Sequence, residues 1–160
     1  MNIRKLAPFF LLIILIFSSC DNRRKLYDEY QEFGEEMIWY QKDTKTFTID
    51  VQENKHPYEL SLTLRYITSY PYDKALLQVV ETDPSGNSIR RDVDIQIRDK
   101  EGNFIGDKGL DIIDVEYVLD GKKEFPTFGK YTYEIIQTMP EIDPLAAVMG
   151  VGLILRDPAK

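Results

Sequence analysis

The chain contains one histidine, one cysteine and one tryptophan, and its apolar runs are all too short to span a bilayer. Each shortage closes a class of function. A Ser-His-Asp or Cys-His triad would have to use His56, which lies in the turn Asn54-Lys55-His56-Pro57 and reads as an exposed turn residue. Zinc takes about four nitrogen or sulfur ligands, which this composition cannot gather. Nor does any glycine loop have the spacing that cradles phosphate. A lone cysteine makes no disulfide within the chain, so the fold must rest on its core. Positive charge is also scarce, with 20 Lys and Arg against 27 Asp and Glu and a net charge of −7. That balance argues against nucleic acid and against electrostatic attachment to anionic headgroups.

What the chain does have is an unusual beginning. Arg4 and Lys5 precede an uncharged run from Leu6 to Phe17, shorter than the roughly 20 residues a membrane-spanning helix needs. The run ends in Phe17-Ser18-Ser19-Cys20, the arrangement of a lipoprotein signal in which cleavage before Cys20 presents its thiol for lipid attachment. An ordinary secretory signal cleaved nearby is the alternative, although it leaves a lone thiol unexplained. Two or three acyl chains hold a protein on a membrane stably where one does not. No metal is expected, and no cofactor beyond a covalent lipid on Cys20. Without residues 1–19 the balance becomes 18 basic against 27 acidic residues, a net of −9.

The remaining residues divide into a charged tether, 20–25, and one domain, 26–160, long enough to bury a core without staples. Leu26, Tyr30, Phe33 and Met37 recur at steps of four, three and four, which predicts a short helix or irregular turn, either packed on the domain or offered to a partner. From Trp39 the period changes to two. Phe47, Ile49 and Val51 alternate with polar residues, as do Tyr58, Leu60, Leu62, Leu64 and Tyr66. A third strand runs from Ala75 to Glu81. Asp83-Pro84-Ser85-Gly86-Asn87 then turns the chain into one with Val93, Ile95 and Ile97 on a single face. Asp99-Lys100-Glu101-Gly102-Asn103 is a second tight turn, followed by a loop over 104–110.

Alternation resumes at Ile113, Val115, Tyr117 and Leu119, with the phase reset beside Ile112. Gly129 then opens a strand carrying Tyr131, Tyr133 and Ile135, placed so that a phenol could tie down the crossing loop. Asp143-Pro144 has the form of an N-cap and first helical residue, predicting one helical turn over 145–149 before a last strand, 151–155. About seven or eight strands with little helix make an all-β protein, an antiparallel β-sandwich of Greek-key, Ig-like or jelly-roll-like type.

Carboxylates are abundant but unpatterned. Asp111 and Asp114 are three apart, which in a regular strand sends them to opposite faces, and the loops 99–103 and 107–114 lack the ligand spacing of a calcium loop. Tyr66, Tyr70 and Tyr72 around Pro71 are the better candidate for partner binding, because tyrosine combines a large apolar body with a hydroxyl. The same three could equally cap the end of the sandwich.

In order, the chain carries the lipobox cysteine, Trp39 ahead of Phe47, the strand Leu60-Ser61-Leu62-Thr63-Leu64-Arg65, Tyr70-Pro71-Tyr72, Gly129-Lys130-Tyr131-Thr132-Tyr133, Gln137-Thr138-Met139 and Val151-Gly152-Leu153. In this it resembles the GldH family of gliding-motility lipoproteins of Bacteroidetes, departing at Pro140, where a basic residue is expected. The resemblance implies a non-enzymatic accessory or structural lipoprotein of the cell envelope, needed for gliding and the associated type IX secretion machinery. Its partners would be the membrane, through the lipid, and proteins of that machinery. No lysine-then-acidic tract of the surface-export kind follows Cys20, which implies a domain facing the periplasm. The other function carried forward is a lipid-anchored module that binds glycan or peptide through Tyr66, Tyr70 and Tyr72.

Overall fold

The computed structural model describes residues 24–53 and 57–157. Cys20 and His56 lie outside them. The described chain is all β, without a helix, in the order β1 (Arg24–Glu32), β2 (Ile38–Trp39), β3 (Lys45–Val51), β4 (Tyr58–Ile67), β5 (Lys74–Thr82), β6 (Ser88–Gln96), β7 (Asp107–Lys108), β8 (Ile112–Lys123), β9 (Gly129–Gln137), β10 (Leu145–Ala146) and β11 (Val148–Asp157). One sheet has the order β1-β11-β4-β8-β7 and the facing one β3-β9-β5-β6, while β2 and β10 form a small ribbon.

Without the three two-residue strands, the pairings have a simple rule. The first long strand, β1, pairs with the last, β11; β3 pairs with β9, β4 with β8, and β5 with β6, all antiparallel. The chain is therefore one long hairpin of eight strands, closed at the β5–β6 turn and wrapped so that alternate pairs fall in opposite sheets. That is a jelly roll, which selects one of the three sandwich types left open by the sequence.

Alternation fixes which residues enter the core. Phe47, Ile49 and Val51 of β3, Leu60, Leu62 and Leu64 of β4, and Tyr131, Tyr133 and Ile135 of β9 are all buried between the sheets. The two predicted turns share one mechanism. The Asp83 carboxylate accepts the backbone N–H of Ser85 at 2.8 Å and of Asn87 at 2.9 Å, and Asp99 does the same for Glu101 at 3.0 Å and Asn103 at 2.8 Å. Hydrogen bonding to the charged form holds both carboxyls below the usual aspartate range. The Tyr131 hydroxyl accepts the Thr127 backbone N–H at 3.2 Å, so this phenol does fasten the loop before β9.

Two helical expectations are corrected. Residues 26–37 contain most of β1 and a turn, because β1 is an edge strand with no residue fully buried. The half-buried Gln31 donates its side chain to the Thr46 carbonyl of β3 at 2.7 Å, so a polar residue stands where an apolar one would mark a period of two. At 145–149, Leu145 instead pairs with Trp39 and the chain runs on into β11, whose burial on both faces removes any alternation. The tether is also shorter than expected, since Arg24 and Lys25 already belong to β1. The expected loop 104–110 contains the short strand β7.

Candidate functional site

The jelly roll has two unlike ends. One holds the start of β1, the end of β11, the end of β3 and the 124–128 loop. β1 starts at this near end, four residues after Cys20 in the sequence. The other end holds the 68–73 loop, the 97–106 segment and the 109–111 turn.

The expected tyrosines lie at the far end. Tyr66 and Tyr70 are each 0% exposed, and only Tyr72 reaches the surface. Tyr66 donates its hydroxyl to the Ile105 carbonyl at 2.8 Å and Tyr70 to the Lys74 carbonyl at 3.1 Å. The three rings pack in a chain, Tyr66 on Tyr70 at 5.5 Å and Tyr70 edge-on to Tyr72 at 5.6 Å, with Phe104 5.9 Å from Tyr66. Arg98 stacks over Phe104 at 3.8 Å and donates to the Tyr70 carbonyl at 3.0 Å. Burial pushes the Tyr66 phenol up to about 12, and the Tyr70 phenol higher still. These hydroxyls hold loops in place, so Tyr66 and Tyr70 cap the sandwich and offer a ligand nothing. Beside them, Leu110 stands 99% exposed and Ile112 38% exposed.

The carboxylates do not converge. Asp114 is held by Arg65 through two hydrogen bonds, at 2.7 and 2.9 Å, and Arg156 bridges to Glu116. Among the described residues, no three His, Cys, Asp or Glu side chains come together as a metal site would require.

The near end holds a feature that sequence reasoning missed. A cavity of about 370 Å³ opens between the sheets there, walled by Leu26, Tyr27, Val51, Tyr58, Phe125 and Leu155, with Arg24, Glu53 and Asp157 among its polar lining. That volume falls within the roughly 300–1,000 Å³ of small-molecule sites. Its wall depends on an irregularity. Lys25 pairs with Arg156 and Tyr27 with Leu155, leaving Leu26 as an extra, unpaired residue. A regular strand would send Leu26 and Tyr27 to opposite faces, but this β-bulge lets both line the cavity. Next to it, Lys123 is enclosed by the Glu81 carboxylate and the Phe125 and Tyr131 rings, at 5.1 and 5.8 Å. The wall residues come from five places in the chain, and no local pattern joins them.

Fold and site together define a class, a jelly roll with a cavity open at the end where its first strand starts, four residues after Cys20 in the sequence. Comparison with known proteins makes this specific. The GldH lipoprotein family matches residues 25–155. The chain is 29% identical over 158 residues to the gliding motility lipoprotein GldH of Flavobacterium johnsoniae, covering 95% of this chain and 96% of that protein. It is 26% identical over 145 residues to a GldH homolog of Christiangramia forsetii, covering 89% and 87%. The chain belongs to the GldH lipoprotein family. Among solved structures, an infectious bursal disease virus structure aligns with 86% of this chain at a TM-score of 0.34 and 11% identity, and the chain spans 32% of its length.

Proposed function

We propose that the chain is a lipid-anchored, non-enzymatic accessory component of the gliding machinery, held at a membrane of the cell envelope through acyl chains on Cys20 and facing the periplasm. The family match across 25–155 carries this reading, since it takes in almost the whole jelly roll. The position of β1 supports it. Four residues at about 3.3–3.6 Å each put Arg24 within roughly 14 Å of an anchored Cys20, so the domain stands close on the membrane. Its far end, with Tyr72, Leu110 and Ile112, is then turned towards other envelope proteins, including those that support type IX secretion.

Changing Cys20→Ala tests the anchor. The protein is expected to fold unchanged, to leave the membrane fraction, and to lose the ability to restore gliding to a strain lacking it. Gliding restored by the soluble variant would sink the proposal. Protease applied to intact cells should leave the wild-type protein whole, and its digestion would overturn the periplasmic orientation. A deletion strain that still secretes adhesins normally would remove the secretion role.

A further inference from the structure

We infer that β6 is a docking edge, at which an extended segment of another envelope protein adds a strand to the β3-β9-β5-β6 sheet. This rests on the accessory role proposed above and names where a protein partner is held. The bare edge is the first observation. A strand at the edge of a sheet has unpaired N–H and C=O groups, and folds normally blunt them. Here β1 and β3 blunt each other. Gln31 donates to the Thr46 carbonyl at 2.7 Å, Lys45 to the Glu32 carbonyl at 3.1 Å, and the Thr48 N–H donates to the Tyr27 hydroxyl. At one end β8 is covered by β7, and towards its other end its register against β4 shifts twice. Neither device is present on β6, whose nine residues pair with β5 without a shift.

The direction of the free groups follows from the hairpin. Asp83 donates its N–H to the Asn87 carbonyl at 2.9 Å, and antiparallel pairs alternate between bonded and non-bonded. In the register of β5 and β6, Ile89, Arg91, Val93 and Ile95 therefore bond to β5, while Ser88, Arg90, Asp92 and Asp94 turn their N–H and C=O groups outwards. The side chains of these last four are exposed and set what can pair there. Among the described residues Arg90 has no ion pair, whereas Asp92 accepts from Gln78 at 3.1 Å and Asp94 from Lys74 at 2.9 Å, through one oxygen each. The complement is a strand with a carboxylate opposite Arg90 and basic residues opposite Asp92 and Asp94. Its other face is apolar, against Ile89, which is 57% exposed. Arg91 is already met by Glu81 and Asp120, at 3.9 and 3.8 Å, so the incoming strand need not supply its counter-charge. Charges that repel unmatched strands thus select this one. A second copy is not the occupant. Symmetric pairing of β6 with itself is antiparallel and turns the two β1 starts to opposite ends, and tethers of roughly 14 Å cannot then reach one membrane.

Hydrogen exchange reads the edge directly. In the protein purified in detergent, the amides of Ser88, Arg90, Asp92 and Asp94 should exchange freely. In envelope membranes of cells carrying the protein, the peptide covering 88–96 should gain protection at those amides, slowing their exchange by at least about tenfold. Equal exchange in the two preparations overturns the docking edge. Proline tests what the edge is for. The Asp92 N–H points outwards, so Asp92→Pro spares the bonds to β5 and should melt close to the parent, yet it removes a donor and puts a ring in the partner's way. In a strain lacking the protein, Asp92→Pro should accumulate in membranes without restoring gliding, while Asp92→Asn, which keeps the donor, restores it. Gliding restored by Asp92→Pro overturns strand addition. Gliding lost equally with Asp92→Asn assigns the effect to the carboxylate and also overturns it. Should Asp92→Pro not accumulate, Arg90→Pro, whose N–H likewise points outwards, is read by the same criteria. Failure of the wild-type gene to restore gliding overturns the function proposed above instead, and the exchange measurement then decides the edge by itself.

Discussion

Gly150 and Gly152 show how a single atom is excluded from this fold. Both lie in β11 on the outer face of its sheet, where the Tyr30 ring lies across them. A Cβ on Gly150 would meet the Tyr30 phenol and stand 2.5 Å from the Gln31 carbonyl oxygen, and one on Gly152 would stand 2.5 Å from Thr63 Oγ1 and 2.9 Å from the Glu29 carbonyl oxygen. Arg65 covers the other side of the Tyr30 ring at 5.2 Å while its fork holds Asp114. Gly150→Ala or Gly152→Ala must therefore lift Tyr30 or spread β1 from β11, an overpacking cost of about 1–3 kcal/mol. Thermal melting should register a loss of several degrees, and an unchanged midpoint for both variants would contradict the packing described.

Among the elements, the pair Glu81 on β5 and Lys123 on β8 bonds the two sheets across the interior, with side chains 10% and 8% exposed. Arg91 lies 3.9 Å from Glu81 and 3.8 Å from Asp120, at the margin of the same junction. Removing Glu81 leaves Lys123 buried without its counter-charge, and removing Lys123 leaves Glu81 only the more distant Arg91 at 3.9 Å. Lys123→Met should thus cost about 3–5 kcal/mol, while Glu81→Leu with Lys123→Met should recover most of it. Urea denaturation of the two singles and the double checks this; additive losses would show that the charges do not interact. The elements also show what local pattern conveys. The strands β3, β4, β5, β6, β8 and β9 were legible because each has a core face opposite a more polar one. By contrast β1 defeated the pattern, being an edge with a polar residue at the seam, while the last strand was legible over 151–155 and only its start was missed, since β11 is buried on both faces and runs from Val148.

For the whole molecule, the tyrosines set the alkaline limit of stability. Burial pushes the phenols of Tyr30 and Tyr66 up to about 12, and raises those of Tyr27, Tyr70 and Tyr133 further. An unfolded tyrosine loses its proton near about pH 10. Above that pH the unfolded chain binds fewer protons than the folded one, so stability is fully present below pH 10 and falls as pH rises towards 12. The melting temperature should decline across this window, with tyrosinate absorbance appearing together with unfolding. Full ionisation of the tyrosines near pH 10 in an intact fold would disprove it.

The sequence alone determined the class of fold, the two Asp-Gly-Asn turns and the family, since each is written in a period of two or in short contiguous motifs. Only the tertiary structure decided that the sandwich is a jelly roll, that Tyr66 and Tyr70 are interior, and that a cavity opens at the end where β1 starts. Strand pairing joins the first long strand to the last, and the cavity wall joins residues from Leu26 to Leu155. Such contacts follow from how the sheets stack, which no stretch of neighbouring residues encodes.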